Sequence, residues 1–260
     1  LYREVGDKKM EMLQLQDIAI FNEDLGQHMD AVTAAKDALE VAVSMQDVPY
    51  QARLHSMISR FYMAANNPDE ALRNANEAIA EYSSYNDKDG IATCLMNKAG
   101  VLAMKEDVNV ALTVLEEARS ITIEMHLKSR EAQTYHFASE MESQRENFDE
   151  ALRCASVARG IYKKLGSKSD EAVMLNLVAQ ASLSLADKVA SSCRQLPHGS
   201  KAARDSQRQI RRLNTQCIKA AKESHAIARK VKDTKQILVV NALSILSQAQ
   251  GLTGKFQDAL

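Results

Sequence analysis

Six histidines (His28, His55, His126, His136, His198 and His225) and four cysteines (Cys94, Cys154, Cys193 and Cys217) are the side chains of this 260-residue chain that could ligate a metal or act as a nucleophile. Metal sites draw on ligand pairs at short, regular spacing. Here the histidines are scattered, with no HxxxH pair, and the cysteines form no CxxC. Glu140 and Glu142 stand two apart on a helical stretch, so they point to different sides and cannot act as paired acid and base. No P-loop, GxGxxG, HExxH, GxSxG or EF-hand pattern occurs. The expectation is therefore no catalytic centre, no cofactor and no metal.

The remaining chemistry is cationic. Lys201, Arg204, Arg208, Arg211 and Arg212 fall within about one 100° sector of a helix. From Asp187 to Lys219 the chain carries eight cations against two anions, a local charge of +6 that leaves the remainder at −7. Arginine's planar fork suits carboxylates, so this stretch predicts a dock for an acidic protein surface, with a solvated basic face as the plain alternative. Nucleic acid is disfavoured, because the stretch has no stacking aromatics and the rest of the chain would repel a polyanion.

Composition says what must position such a face. Three prolines, nine glycines, no Trp and 45% apolar residues describe a chain of long helices able to bury a core. A net charge of −1 gives no general attraction to nucleic acid or anionic membrane, and no apolar run approaches the roughly 18 residues of a membrane span. Isolated thiols and the absence of a signal-peptide pattern point to an intracellular, cytoplasmic protein.

The helices recur. Ala31, Ala71, Ala111 and Ala151 are spaced by 40, and seven residues later stand Ala38, Ala78, Ala118 and Ala158. Twelve residues before each first alanine is another small residue: Ala19, Ser59, Ala99 and Ser139. Small side chains let helix backbones approach, so each phased position marks a crossing. Each unit reads as helix A, a short turn (Asn66-Asn67-Pro68, Asn147-Phe148-Asp149), then helix B with Asp and Glu at its start.

A small residue, then Ala, then Ala seven further on resembles the tetratricopeptide repeat (TPR). The 40-residue period is similar to the variant of Leu-Gly-Asn-repeat adaptors and kinesin light chains, as are helix-B ends such as Ile161-Tyr-Lys-Lys-Leu-Gly-Ser167. The resemblance implies an all-α, right-handed α-solenoid of helix-turn-helix repeats, with a longer helix B, forming one superhelical array over 1–260. Partial repeats are expected at 1–7 and 234–260, so the array would continue beyond both ends or be covered there by a partner. Its implied function is a non-catalytic scaffold or adaptor holding a partner segment in a concave groove; a fixed subunit of a large assembly, anchored by the basic stretch, is the alternative. The aromatic expected late in helix A is present as Tyr62 but replaced by Asn22, Leu102, Glu142 and Ser182. Carried over by position, the groove would be lined by Arg53, Ser56, Arg60 and Met63, then Met96 and Asn97, then His136 and Glu140, then Asn176 and Gln180. No sign of charge dominates these residues.

The fifth unit breaks the period. Cys217 takes the Ala31 position 66 residues after Ala151, so 26 residues are extra, with one breaker at Leu196-Pro-His-Gly-Ser200. The prediction is an extended helical hairpin over about 186–213, standing about 15 Å out of the stack. Ala203, Ile210, Leu213 and Cys217 would pair with Leu185, Val189 and Leu196, with the cations outward.

Overall fold

In the computed structural model, residues 7–197, 199–231 and 236–257 are described. Among them are eleven helices and no strand: α1 (Lys8–Asp24), α2 (His28–Ser44), α3 (Val48–Ala64), α4 (Pro68–Ser84), α5 (Lys88–Met104), α6 (Val108–Glu124), α7 (Lys128–Gln144), α8 (Phe148–Leu165), α9 (Lys168–Cys193), α10 (Lys201–Ala228) and α11 (Gln236–Gln257). The tail of a preceding helix expected over 1–7 falls, apart from Asp7, outside the described residues, as does His198.

The chain forms two compact units, 1–127 and 128–260. In the first, α1 to α6 pack each on the next, and α3 also meets α5. In the second, α7 to α11 do the same, and α9 meets both α7 and α11. The A helices of the repeat thus meet one another as well as their even-numbered partners at α3–α5 in the first unit and at α7–α9 and α9–α11 in the second.

The regularity is finer than 40 residues. Through α7 the helices have 17 residues and three-residue turns follow them, while α8 has 18 and a two-residue turn; every turn holds one residue at positive φ: Gly26, Gln46, Asn66, Asn86, Glu106, His126, Glu146 and Gly166, 20 apart. That left-handed residue folds the chain back so that the next N–H reaches the last turn of the helix, as Asn67 N donates to the Tyr62 carbonyl (2.9 Å) and Asp107 N to that of Leu102 (3.0 Å). Six of the eight are not glycine, each costing about 1 kcal/mol in this conformation. Three A helices are capped by a side chain as well: Asp7, Asp47 and Asp87 accept from the N–H three residues on, at 3.1, 3.1 and 3.0 Å. The longer helix B that the resemblance implied is not found. A and B helices are of equal length through α7, because the turn chemistry repeats at half the period.

The phased small residues are the core. Ala19, Ala31, Ala38, Ala71, Ala78, Ala99, Ala111, Ala118, Ala151 and Ala158 are wholly buried, and Ser59 and Ser139 nearly so. The serines also bind across the hairpin. Ser59 Oγ donates to the Ala71 carbonyl at 2.8 Å and Ser139 Oγ to that of Ala151 at 2.9 Å.

The fifth hairpin is long: α9 has 26 residues and α10 has 28. Its base keeps the repeat register, with Ala179 and Cys217 fully buried and Ser224 Oγ donating to the Ala172 carbonyl at 2.9 Å. Its distal half has a separate core of Leu185, Ala186, Ala190, Ile210 and Leu213, with Val189 against it. This extension does not stand free. Phe148 and Leu152 of α8 pack on that core, and Lys188 Nζ donates to the Glu146 carbonyl at 2.8 Å.

Candidate protein-interaction surfaces

Two sets of side chains were expected to meet a partner, one on the odd-numbered helices and one on the long hairpin. In the first unit the odd-helix surface is built where α3 meets α5. Asn97 Nδ2 lies 3.5 Å from Ser56 Oγ, and Met63 Sδ sits where a side chain on Gly100 would touch it, at 3.4 Å. Ser56, Met63 and Asn97 are half-buried and form a floor; Arg53 and Arg60, about two turns apart along α3, stand exposed beside it. Arg53 lies over the Tyr50 ring, 5.7 Å from its centroid. Among the described residues neither arginine forms an ion pair. Met96 differs from expectation: it is 4% exposed, turned into the core of α5 rather than toward a groove.

In the second unit His136 is half-buried with Nε2 3.4 Å from Glu140 Oε1, and Glu140 and Gln180 are exposed. Asn176 is buried at 7% exposure, its Nδ2 donating to the Leu238 carbonyl of α11 at 3.2 Å, so it ties two helices together and is not free to line a groove. Glu142, two residues from Glu140, is buried on the other side and accepts from Asn147 Nδ2 at 2.9 Å.

On the long hairpin, Lys201, Arg204, Arg208, Arg211 and Arg212 are all exposed, while Ala203, Ile210, Leu213 and Cys217 face inward. Arg208 is 82% exposed at its side chain and lies 3.8 Å from Asp205, a contact worth little in water. The face therefore presents its charge to solvent. Lys188, another cation of this stretch, is held instead at the α7–α8 turn.

Burial pushes Cys94 and Cys217 up to about 11, away from the thiolate range. Among the described residues no three His, Cys, Asp or Glu converge as a metal site would need, and no helix is long and apolar enough to cross a membrane.

One junction escaped the sequence reading. The Tyr82 ring of α4 lies against Gly90 of α5, where a Cβ would come within 2.2 Å of it. One period earlier the sizes are exchanged: Ala42 of α2 shares a core with Tyr50 of α3, whose hydroxyl donates to Gln16 at 2.9 Å. The signal was present in the paired alternation of large and small at 42/50 and 82/90.

No family model matches this sequence, and no curated protein matches it. Solved structures do. BtubC (BKLC) from P. vanneervenii superposes with a TM-score of 0.60 at 14% identity, over 82% of this chain and 90% of that one. Nearly identical TPR-like repeats of a kinesin light chain kind from Podosopora anserina give 0.57 at 15%, over 79% and 95%. A Rap protein complexed with Competence and Sporulation Factor gives 0.61 at 13%, over 95% and 76%. With its paired helices, phased alanines and odd-helix contacts, the chain has the fold of tetratricopeptide-like α-solenoid proteins.

Proposed function

We propose that this chain is a non-catalytic protein-interaction scaffold that receives a partner segment along its odd-numbered helices. The observation that carries this is the α3/α5 surface: a half-buried floor of Ser56, Met63 and Asn97 flanked by Arg53 and Arg60, two exposed cations without an ion partner among the described residues. Such a surface suits an extended or helical segment carrying carboxylates. A concave layer of helices that hold their spacing and leave side chains free is how open repeat folds bind. A Rap conjugation gene regulator of similar fold (TM-score 0.57, 13% identity) is solved in complex with the Phr* peptide, which favours a peptide-like ligand here. The setting is an intracellular, cytoplasmic multiprotein complex, and no cofactor or metal is required.

Affinity capture of the tagged chain from native extract, compared with its Arg53→Glu/Arg60→Glu variant, tests this reading. The paired reversal loses a partner that the unaltered chain retains, with helicity unchanged by circular dichroism. Equal recovery of every partner from both would refute it.

A second reading has its own observation, the outward cations of the long hairpin. In it the hairpin anchors the chain to an acidic surface as a fixed subunit of a large assembly. Stoichiometric co-sedimentation that Arg204→Glu/Arg208→Glu/Arg211→Glu abolishes would favour the subunit; exchangeable binding unaffected by those changes would favour the adaptor.

A further inference from the structure

The two compact units carry opposite charge. Residues 1–127 hold 11 Lys and Arg against 21 Asp and Glu, a net −10, whereas residues 128–260 hold 22 against 13, a net +9. In the first unit one carboxylate recurs at a fixed register of each B helix. Asp37 of α2, Glu77 of α4 and Glu117 of α6 are spaced by 40, each directly before the buried alanine at 38, 78 or 118, and all three are exposed. Among the described residues none of the three is in an ion pair; the arginines of α4 and α6 pair with Glu70 and Glu116 instead. In the second unit the same register holds Val157, half-buried, so the ladder ends with the first unit. The opposite charge is concentrated on α10. There Lys201, Arg204, Arg211 and Arg212 are exposed and form no ion pair among the described residues, and Arg208 has its 3.8 Å contact to Asp205. From Lys201 to Arg212 this face runs about 17 Å along the helix.

We infer that the basic face of α10 docks on the carboxylate ladder of a second copy of this chain. This rests on the second reading above, which calls for an acidic surface, and it names that surface. The occupant follows from charge complementarity: with −10 on one unit and +9 on the other, each copy holds the complement of the other's exposed charge. Arginines without an ion partner have their guanidinium forks free for carboxylates. One exposed ion pair contributes little. A row of carboxylates lets several pairs close together, and the contact weakens as salt screens it. Charge separated in this way also steers the approach of two copies. A nucleic acid would be drawn to the same cations but repelled by the first unit. Two copies that exchange the contact close as a dimer, and one-way contacts build longer assemblies.

Sedimentation velocity of the full chain over a concentration series tests this, at low ionic strength and again at about 1 M salt, where the Debye length is about 3 Å. The expected result is association at low salt that is lost at high salt. Arg204→Glu/Arg208→Glu/Arg211→Glu and Asp37→Lys/Glu77→Lys/Glu117→Lys each raise the Kd about tenfold or more, and mixing the two variants restores association between them. Lys163→Glu/Lys164→Glu, exposed on α8 and off both faces, leaves it unchanged. Arg204→Gln/Arg208→Gln/Arg211→Gln and Asp37→Asn/Glu77→Gln/Glu117→Gln give smaller losses and serve if a reversal perturbs helicity. A chain that is monomeric at every concentration overturns the inference. So does association that survives reversal of either face, or that the α8 change weakens equally. If the chain stays monomeric while capture from extract still loses a partner on hairpin reversal, self-docking falls and the subunit reading stands.

Discussion

The second and fifth hairpins are built on one register and differ in what surrounds them. In α3–α4 every crossing position is small or closely fitted, because each helix is packed on its neighbours along its length. In α9–α10 that rule holds only at the base, where Ala172, Ala179, Cys217 and Ser224 are buried among α8, α9 and α11. Past Ala186 the helices meet mainly each other and the start of α8, and the core changes to Leu185, Ile210 and Leu213. Small residues thus mark the crossings at the base, beside large buried side chains such as Leu175, and the outer half of the long hairpin is released from the packing on α11 that its base makes. The basic face sits on the released half.

The sharpest way to break this comparison is to enlarge one residue in each half of α10. Cys217→Leu, at the crowded base, is expected to cost about 3 kcal/mol, whereas Ala203→Leu near the tip costs under about 1 kcal/mol. Urea unfolding monitored by circular dichroism checks both, and equal losses would remove the distinction between base and tip.

The Tyr82–Gly90 junction sharpens the other side of the comparison, since it shows how close the regular hairpins come. Tyr82 is half-buried, and burial pushes its hydroxyl up to about 12. Alanine for glycine within a helix would by itself add stability of up to about 1 kcal/mol. The ring clash outweighs that gain, so Gly90→Ala is expected to destabilise by about 1–2 kcal/mol. In a Tyr82→Ala background the same change should become stabilising. A double-mutant cycle reads the reversal of sign, and a Gly90→Ala loss of the same size in both backgrounds would show that the ring is not its cause.

Asp47 caps α3 by accepting from Tyr50 N, and Asp47→Ala is expected to cost about 1 kcal/mol. Thermal melting measures it. The smallest effect belongs to the tip. Arg204→Glu/Arg208→Glu/Arg211→Glu should leave stability within about 0.5 kcal/mol per change, because these side chains are exposed. A loss of several kcal/mol would mean the cations hold the hairpin rather than face outward.

Much of this architecture was legible before any coordinates. The alanines at a spacing of 40 signalled close crossings because only a small residue allows them, and the displaced Cys217 located the long hairpin. The 20-residue half-period was not legible, since six of its eight left-handed turn residues lack the glycine that would have announced them. Among the surface residues, Arg53, Arg60, Glu140, Gln180 and the five hairpin cations are exposed. Met96 and Asn176 are buried, for a reason a single repeat cannot display. Position along a helix gives the face, but burial depends on the helices around it, as α11 shows in covering Asn176.

Site-specific photo-crosslinking in native extract addresses the functional reading most directly. Ala64 is exposed on α3, one turn past Arg60, and Ala80 is exposed on α4. Replacing each in turn with p-benzoylphenylalanine is predicted to give a discrete protein adduct from position 64 and none from position 80. Adducts from position 80 alone, or the same adduct from both, would contradict a partner held along the odd-numbered helices.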